Sequence, residues 1–346
     1  MTKVDNEKPS RETLQVLAYE RISDFFQKHA DDVCEVEILP PAIQPRDGVS
    51  LQDGLNLGIP KKALALAYLE ARRRFFDSKG YNDYTSMALQ ATKIMLLFDP
   101  EHLTAANYRK HWLNRLKAET GSQFGSAFHT ALRQEQKFLN TILTSPLHRQ
   151  TKSPTLWYHR LWVMNPLSTI ELGNADDSQC VDFWRAELAT VCKSGERHPK
   201  NYYAWQYARR LKPRMVSARE EDFIDVLKEW CCRNPSDISG WTFLLVLLSG
   251  SENAKKVYDT LRDVMIYTIK LQAEQESLWF FIRTVAVQYI TQEEYMELCV
   301  LIQGQGTGAG SNEAAFMAPD QNFGISRWSR LMTQFLHLRG DLVYPS

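Results

Sequence analysis

Apolar residues recur three and four positions apart along most of the chain, with polar residues between them, which is the pattern of amphipathic α-helices. The first such segment covers residues 11–29, and helical segments separated by short polar breaks follow from residue 60 onward. Residues 33–41 alternate as a strand does and end at two prolines, and a loop is expected from there to about residue 59. The pattern predicts an all-α fold built from helical hairpins.

Three tryptophans indicate a repeat within this series of helices. Trp157, Trp205 and Trp241 each fall early in a predicted helix that follows another amphipathic helix. The last two are 36 residues apart, which suits a two-helix repeat, whereas the first two are 48 apart because residues 165–179 resemble an insertion. Stacked hairpins of this kind form a right-handed α-α superhelix, in which each indole is expected to pack between neighbouring hairpins.

Arginines keep a regular distance from these positions. Arg160 follows Trp157 by three residues, and Arg109 follows Ala106 by three in an earlier, degraded copy of the repeat. An offset of three places both side chains on one helix face, so each guanidinium is expected to lie alongside an indole. Arg109 is therefore grouped with the tryptophans as a structural residue of the repeat.

Composition removes several function classes. The chain has 41 basic and 41 acidic residues, and nucleic-acid binding is not expected without a net positive charge. It has neither an apolar signal region nor an apolar stretch that could span a bilayer, which predicts a cytoplasmic protein without membrane insertion. The six cysteines lack metal-ligand spacing, so no metal or other cofactor is expected in this chain.

The quoted repeats resemble those of the protein prenyltransferase α-subunit family. PKNYYAWQYARRL (199–211) is similar to the family's Asn-Tyr-x-Ala-Trp-x-x-Arg unit, and KSPTLWYHRLWV (152–163) is similar to its Lys-x-x-x-x-Trp-x-His-Arg unit. SDISGW (236–241) resembles an altered terminal unit, and the resemblance covers residues 80–250 best. The starts of the second and fourth repeat units look more like those of a divergent branch than like those of a farnesyltransferase α subunit. This branch consists of the α-subunit repeat-containing proteins, which act as α-like subunits of geranylgeranyltransferase type III.

The resemblance implies a heterodimer. In that family the α subunit is a crescent of hairpins around a β subunit, which supplies the zinc, the isoprenoid cavity and most substrate contacts. This chain would then be inactive alone, and with its β partner it would transfer a geranylgeranyl or farnesyl group from an isoprenoid diphosphate to a protein cysteine. Zinc is accordingly expected on the β partner.

The resemblance also implies site residues. The family's α subunit carries a lysine five residues before a repeat tryptophan that reaches the diphosphate, and Lys152 and Lys200 stand at that position before Trp157 and Trp205. A departing diphosphate accumulates negative charge, which a lysine ammonium stabilises. Lys152 is the predicted catalytic contact. The predicted substrate-binding residues are Lys200, Tyr202, Tyr203, Arg160 and Arg209.

A second interpretation stays open, in which the chain is a non-catalytic helical-repeat scaffold for protein–protein interaction. Both interpretations share one expected division of the chain. The predicted regions are an N-terminal helix and extended segment (1–59), a hairpin array (60–302), a Gly-rich linker (303–322) and a C-terminal helix with a tail (323–346).

Overall fold

The computed structural model describes residues 10–77, 85–306 and 327–339, most of which are helical, and the predicted all-α class is confirmed. The chain divides into two compact units, Met1–Tyr207 and Ala208–Ser346. Within the described ranges, no helix combines the length and the apolarity needed to cross a membrane. The helices and strands are α1 (Arg11–Lys28), β1 (Glu35–Leu39), β2 (Leu51–Asp53), β3 (Asn56–Pro60), α2 (Lys61–Asp77), α3 (Ser86–Phe98), α4 (Leu103–Thr120), α5 (Ala127–Thr144), α6 (His148–Thr151), α7 (Pro154–Leu172), α8 (Asp177–Arg197), α9 (Tyr202–Arg233), α10 (Ile238–Leu248), α11 (Ala254–Leu271), α12 (Glu276–Gln288), α13 (Gln292–Gly306) and α14 (Arg327–His337).

Helices that are close in sequence pack side by side within each unit. In the first unit, α2 packs between α1 and α3, α4 packs between α3 and α5, and α5 contacts both α7 and α8. In the second unit, α12 packs on α10 and α11, and α11 also packs on α13. The apolar stripes of the amphipathic helices form the core of each unit.

A three-stranded sheet replaces the loop that was expected to run to about residue 59. Strand β3 lies between β1, with which it is parallel, and β2, with which it is antiparallel. Gly54 and Leu55 make the two-residue turn between β2 and β3, where Gly54 has a φ of +55°, and Leu57 and Ile59 alternate into the core. The glycine at this turn was a signal in the sequence and was missed.

Two helices continue where the sequence pattern indicated breaks. Helix α7 runs through Pro166 to Leu172, so most of the presumed insertion at 165–179 is helical. Helix α9 likewise contains Pro213, and it joins the predicted helix of Trp205 to the amphipathic helix that was predicted to precede the helix of Trp241. A proline removes one helical hydrogen bond, but buried apolar neighbours such as Val163 and Leu167 offset that cost.

The predicted division of the chain stays a prediction. Most of the Gly-rich linker (303–322), and residues 323–326 and 340–346 of the last predicted region, lie outside the described residues. Helix α14 lies inside that last region.

Trp157, Trp241 and Trp279 are buried in one recurring geometry. The indole nitrogen donates to the carbonyl six residues earlier, at 2.8 Å for Trp157, 3.0 Å for Trp241 and 2.8 Å for Trp279. Trp205 is also fully buried. Trp279 follows Trp241 by 38 residues and belongs to a repeat that the sequence analysis overlooked. This hydrogen bond lets a large apolar ring enter the core without leaving its N–H unsatisfied.

Candidate functional site

The starts of helices α7 and α9 meet at one backbone carbonyl, that of Thr151. The side-chain amide of Asn201 donates to this oxygen at 2.8 Å, and the indole of Trp157 donates to it at the same distance. Asn201 and Thr151 are fully buried, so the junction is held inside the first unit. Because Lys152 follows Thr151 and Lys200 precedes Asn201, the junction brings the two lysine-bearing turns next to each other.

The two lysines differ in backbone conformation and exposure. Lys152 is half-buried, and it lies between the short helix α6 and Ser153, the N-cap of α7. Lys200 is exposed and has a φ of +62°. This left-handed conformation costs roughly 1–2 kcal/mol in a residue with a Cβ atom, and such strain is concentrated at functional sites. The Lys200 turn therefore belongs to the candidate site.

A basic cluster of four side chains, His148, Lys152, Arg197 and His198, surrounds the junction. The Nδ1 atoms of the two histidines lie 3.4 Å apart. Burial lowers the pKa of His198, and the neighbouring charges of His148, Lys152 and Arg197 lower it further. Arg197 is paired with Glu35 at 2.6 Å, whereas Lys152 forms no ion pair with any residue that the structure describes. Lys152 is thus the cation of the basic cluster that is available to an anion.

Tyrosines expose their rings at the same helix starts. Tyr202 is 61% exposed, Tyr203 is 39% exposed, and their ring centroids lie 5.4 Å apart. Tyr158, next to Trp157, is 54% exposed. These rings offer a surface on which a ligand or a protein partner can pack.

Arg209 belongs to the second unit. Its guanidinium donates to the Thr242 hydroxyl at 2.8 Å and lies 6.0 Å from the Phe243 ring centroid. Its predicted role in substrate binding stays a prediction.

Arg160 lies in the core rather than at a surface that could meet a substrate. Its Nε donates to Glu187 at 2.5 Å and its Nη2 at 2.7 Å, and the Tyr207 hydroxyl donates to the same carboxylate. Arg160 is fully buried and Glu187 is 2% exposed. The predicted substrate contact of Arg160 therefore has no exposed surface to act through, because the guanidinium is committed to a buried ion pair.

Arg109 repeats this arrangement one hairpin earlier. Its Nε donates to Glu135 at 2.8 Å, and His159 Nε2 lies 2.7 Å from the same carboxylate. Burial alone would raise the pKa of Glu135, but the Arg109 charge and the hydrogen bond from His159 outweigh it and hold the pKa below its usual value. Burial lowers the pKa of His159. Arg109 thus joins successive hairpins through a carboxylate, not through the indole expected from the sequence.

The two glutamates were missed by the sequence analysis, although a signal was present. Glu135 occupies a position on the apolar stripe of α5 between Leu132 and Leu139, and Glu187 does the same on α8 between Trp184 and Leu188. A carboxylate on a core-facing stripe needs a buried partner. That requirement could have identified both residues as partners of the repeat arginines.

Lys93, near Arg109, is expected to destabilise the fold at neutral pH. Burial and the Arg109 charge lower its pKa from 10.5 to about 8. Between pH 8 and 10.5 the unfolded chain therefore binds more protons than the folded chain does. The destabilisation by Lys93 is greatest below pH 8, and it decreases as the pH rises from 8 to 10.5. Lys93→Met should raise the free energy of unfolding by about 1–3 kcal/mol at pH 7.

The measurement is urea denaturation of Lys93→Met and of the unsubstituted protein from pH 6 to 10.5. The stability difference should shrink above pH 8, since the lysine is then neutral in both states. An exposed control, Lys28→Met, should show no such pH-dependent difference. A constant difference across the range would contradict an ionised Lys93 in the core.

The chain is similar to prenyltransferase α subunits and related proteins. A family model described as the ECM9 middle domain matches residues 156–268. The geranylgeranyl transferase type-2 α subunit of Saccharomyces cerevisiae is 24% identical over 62% of this chain and 64% of its own length. Protein ECM9 of the same yeast is 24% identical over 71% of this chain and 62% of its own length.

A zebrafish relative extends the comparison. Protein prenyltransferase alpha subunit repeat-containing protein 1 of Danio rerio is 28% identical over 51% of this chain and 39% of its own length. Each match thus covers less than two thirds of the relative. The resemblance to the protein prenyltransferase α-subunit family is confirmed.

Proposed function

We propose that this chain is the α-type, non-zinc subunit of a heterodimeric protein prenyltransferase. In this assembly a β subunit holds the zinc and the isoprenoid cavity and receives the protein substrate. The chain supports the β subunit and helps to bind the isoprenoid diphosphate. The observation that carries the proposal is the similarity to geranylgeranyl transferase type-2 α subunits.

The geometry of the α7 and α9 starts supports this role. Asn201 and Thr151 hold the Lys152 and Lys200 turns together in the core, so the two turns keep a constant relative position. Exposed Tyr202 and Tyr203 add apolar rings and hydroxyls to the same surface. A rigid junction of this kind suits a contact that must be present before the diphosphate arrives, because preorganised charges cost no reorganisation during the reaction.

Lys152 is the residue to which we assign the diphosphate contact. When the bond between the isoprenoid carbon and the diphosphate oxygen breaks, negative charge grows on the leaving oxygens. An ammonium beside them stabilises that charge, and its effect increases once a β subunit excludes water from the surface. The lowered pKa of His198 is consistent with a positive potential here, since burial and three neighbouring cationic side chains all disfavour its protonation.

Coexpression with prenyltransferase β subunits is the direct test. The expected result is a stable 1:1 complex by size-exclusion chromatography with light scattering, and prenyl transfer to a cysteine-containing protein only when both chains are present. Lys152→Ala should lower kcat roughly 10- to 100-fold while the complex still forms, because one transition-state contact is lost. Lys193→Ala, an exposed lysine on α8, is the matched control and should transfer at the normal rate.

Two outcomes separate assembly from chemistry. A chain that stays monomeric beside every β subunit would contradict the proposed function. A complex that transfers equally well with Lys152→Ala would remove Lys152 from the mechanism but leave the subunit assignment intact.

The scaffold interpretation is the second candidate. It is favoured by the burial of Arg160, which leaves fewer charged side chains for a diphosphate than the sequence suggested. On this interpretation a β-type or other protein partner binds the Tyr202 and Tyr203 surface without any transfer. Complex formation that is lost in Tyr202→Ser/Tyr203→Ser, with no transfer by the unsubstituted complex, would favour it.

A further inference from the structure

A groove of about 820 Å³ lies in the first unit, far along the chain from the lysine-bearing turns. Helices α1 and α2 form its sides, and the loop at residues 45–48 closes one edge. Its floor is apolar, with Leu14 contributed by α1 and Ala65, Leu66 and Leu69 by α2. The volume falls within the roughly 300–1,000 Å³ that small-molecule sites occupy.

Helices α1 and α2 run parallel. Gln15 donates to Glu70 at 3.2 Å, and Arg74 donates to Glu20 at 3.4 Å. The later residue of α1 thus contacts the later residue of α2, as in parallel helices. Both N-termini therefore lie at the same end of the pair. The positive ends of the two helix dipoles add there, which favours negative charge near the groove.

Three cations lie at this end, together with the exposed carboxylate of Glu12 in the first turn of α1. Arg11 and Lys62 lie in the first turns of α1 and α2, and Arg46 lies on the closing loop. In the ranges that the structure describes, none of the three forms an ion pair. Helix α2 has no acidic residue in its first turn. The three like charges repel one another and also oppose the dipoles, and a bound anion would relieve both effects.

The one acidic residue of the groove lining, Asp47, is engaged in its own loop. Its Oδ1 accepts the backbone N–H groups of Val49 at 2.9 Å and Ser50 at 3.2 Å. Its Oδ2 lies 3.9 Å from Arg21, outside the lining. Three cations therefore face the groove against one carboxylate that is already satisfied, which leaves a local excess of positive charge.

We propose that this groove binds an amphipathic anion, in which an apolar chain lies on the leucine floor and a phosphate or carboxylate head meets Arg11, Arg46 and Lys62. The apolar floor accounts for the chain, and the unpaired cations account for the head. A doubly charged head matches three cations better than a single charge does. This site is independent of the prenyltransferase role, since it shares no residue with the basic cluster.

The test is calorimetric titration of the full chain with octyl phosphate at about 0.15 M salt, where distant surface charges are screened. Octyl phosphate should bind at least about tenfold more tightly than inorganic phosphate, which lacks the chain, and than 1-octanol, which lacks the charge. Equal affinity for octyl phosphate and inorganic phosphate would overturn the proposal.

Two variants locate the binding. Lys62→Glu should lower the affinity for octyl phosphate roughly tenfold. Lys61→Glu makes the same charge change at the adjacent residue outside the lining, and it should change this affinity less than about twofold. Ala65→Phe should block the groove and abolish binding, with thermal denaturation showing that the variant is folded. Undiminished binding by folded Ala65→Phe would show that the anion binds elsewhere.

Two further ligands test the source of the anion. Phosphatidic-acid vesicles that bind while monomeric octyl phosphate does not would replace the groove proposal with a membrane-surface contact. A Glu- and Leu-rich peptide that binds more tightly than octyl phosphate, and loses that affinity in Lys62→Glu, would replace it with a protein partner.

Discussion

Glu187→Ala is expected to lower the free energy of unfolding by about 3–5 kcal/mol, which is a large part of the stability of an ordinary domain. The substitution leaves the Arg160 guanidinium and the Tyr207 hydroxyl buried without the carboxylate that pairs with both. Arg160 is fully buried, so water cannot replace the lost partner without opening the core. Urea denaturation followed by circular dichroism measures the loss.

A double substitution separates an unpaired charge from simple loss of packing. Arg160→Met/Glu187→Met removes both charges at similar side-chain volume. Its free energy of unfolding should be at most about 2 kcal/mol below that of the unsubstituted protein, or higher than it. Glu101→Ala, an exposed carboxylate, should cost less than about 0.5 kcal/mol. If Glu187→Ala were as mild as Glu101→Ala, the buried ion pair would not exist as described.

Trp205→Ala should lower the free energy of unfolding by about 3–5 kcal/mol, because the removed indole leaves a cavity that the surrounding helices fill only in part. The ring is fully buried at the start of α9, beside the junction that joins this helix to Thr151. We therefore also expect the α7 and α9 starts to loosen, with faster amide hydrogen exchange at residues 151–157 and 201–207.

Tyr202→Ala is the matched control for Trp205→Ala, since it removes an exposed aromatic ring from the same helix start. It should change stability by less than about 1 kcal/mol and leave hydrogen exchange at the junction unchanged. A Trp205→Ala variant as resistant to urea as Tyr202→Ala would show that the indole is not part of the core.

Most of the helical organisation was predictable because its causes are local. Ser153 and Asp237 cap their helices, and periodic apolar residues select one face, all within a few turns of chain. The same local features were sufficient to detect the repeat and its family resemblance. They were not sufficient at Pro166 and Pro213, where packing keeps a helix continuous through a residue that normally ends one.

The candidate site was predicted only in part. The positions of Lys152 and Lys200 relative to their tryptophans follow from repeat spacing, but the hydrogen bond of Asn201 to Thr151 joins residues 50 positions apart. The exposure of a charged side chain also depends on distant elements. Arg160 and Arg209 look alike in sequence, yet the first is fully buried and paired with Glu187, and the second is half-buried.

By itself, the sequence determined the helical class, the tryptophan repeat and the absence of net charge, because each depends on spacing or composition. Only the tertiary structure decided which carboxylate pairs with each repeat arginine, and that α1 and α2 lie parallel with their cations at one end. These are contacts between residues far apart in the chain, and their energies depend on burial and on distance through space. Neither quantity can be obtained from local pattern.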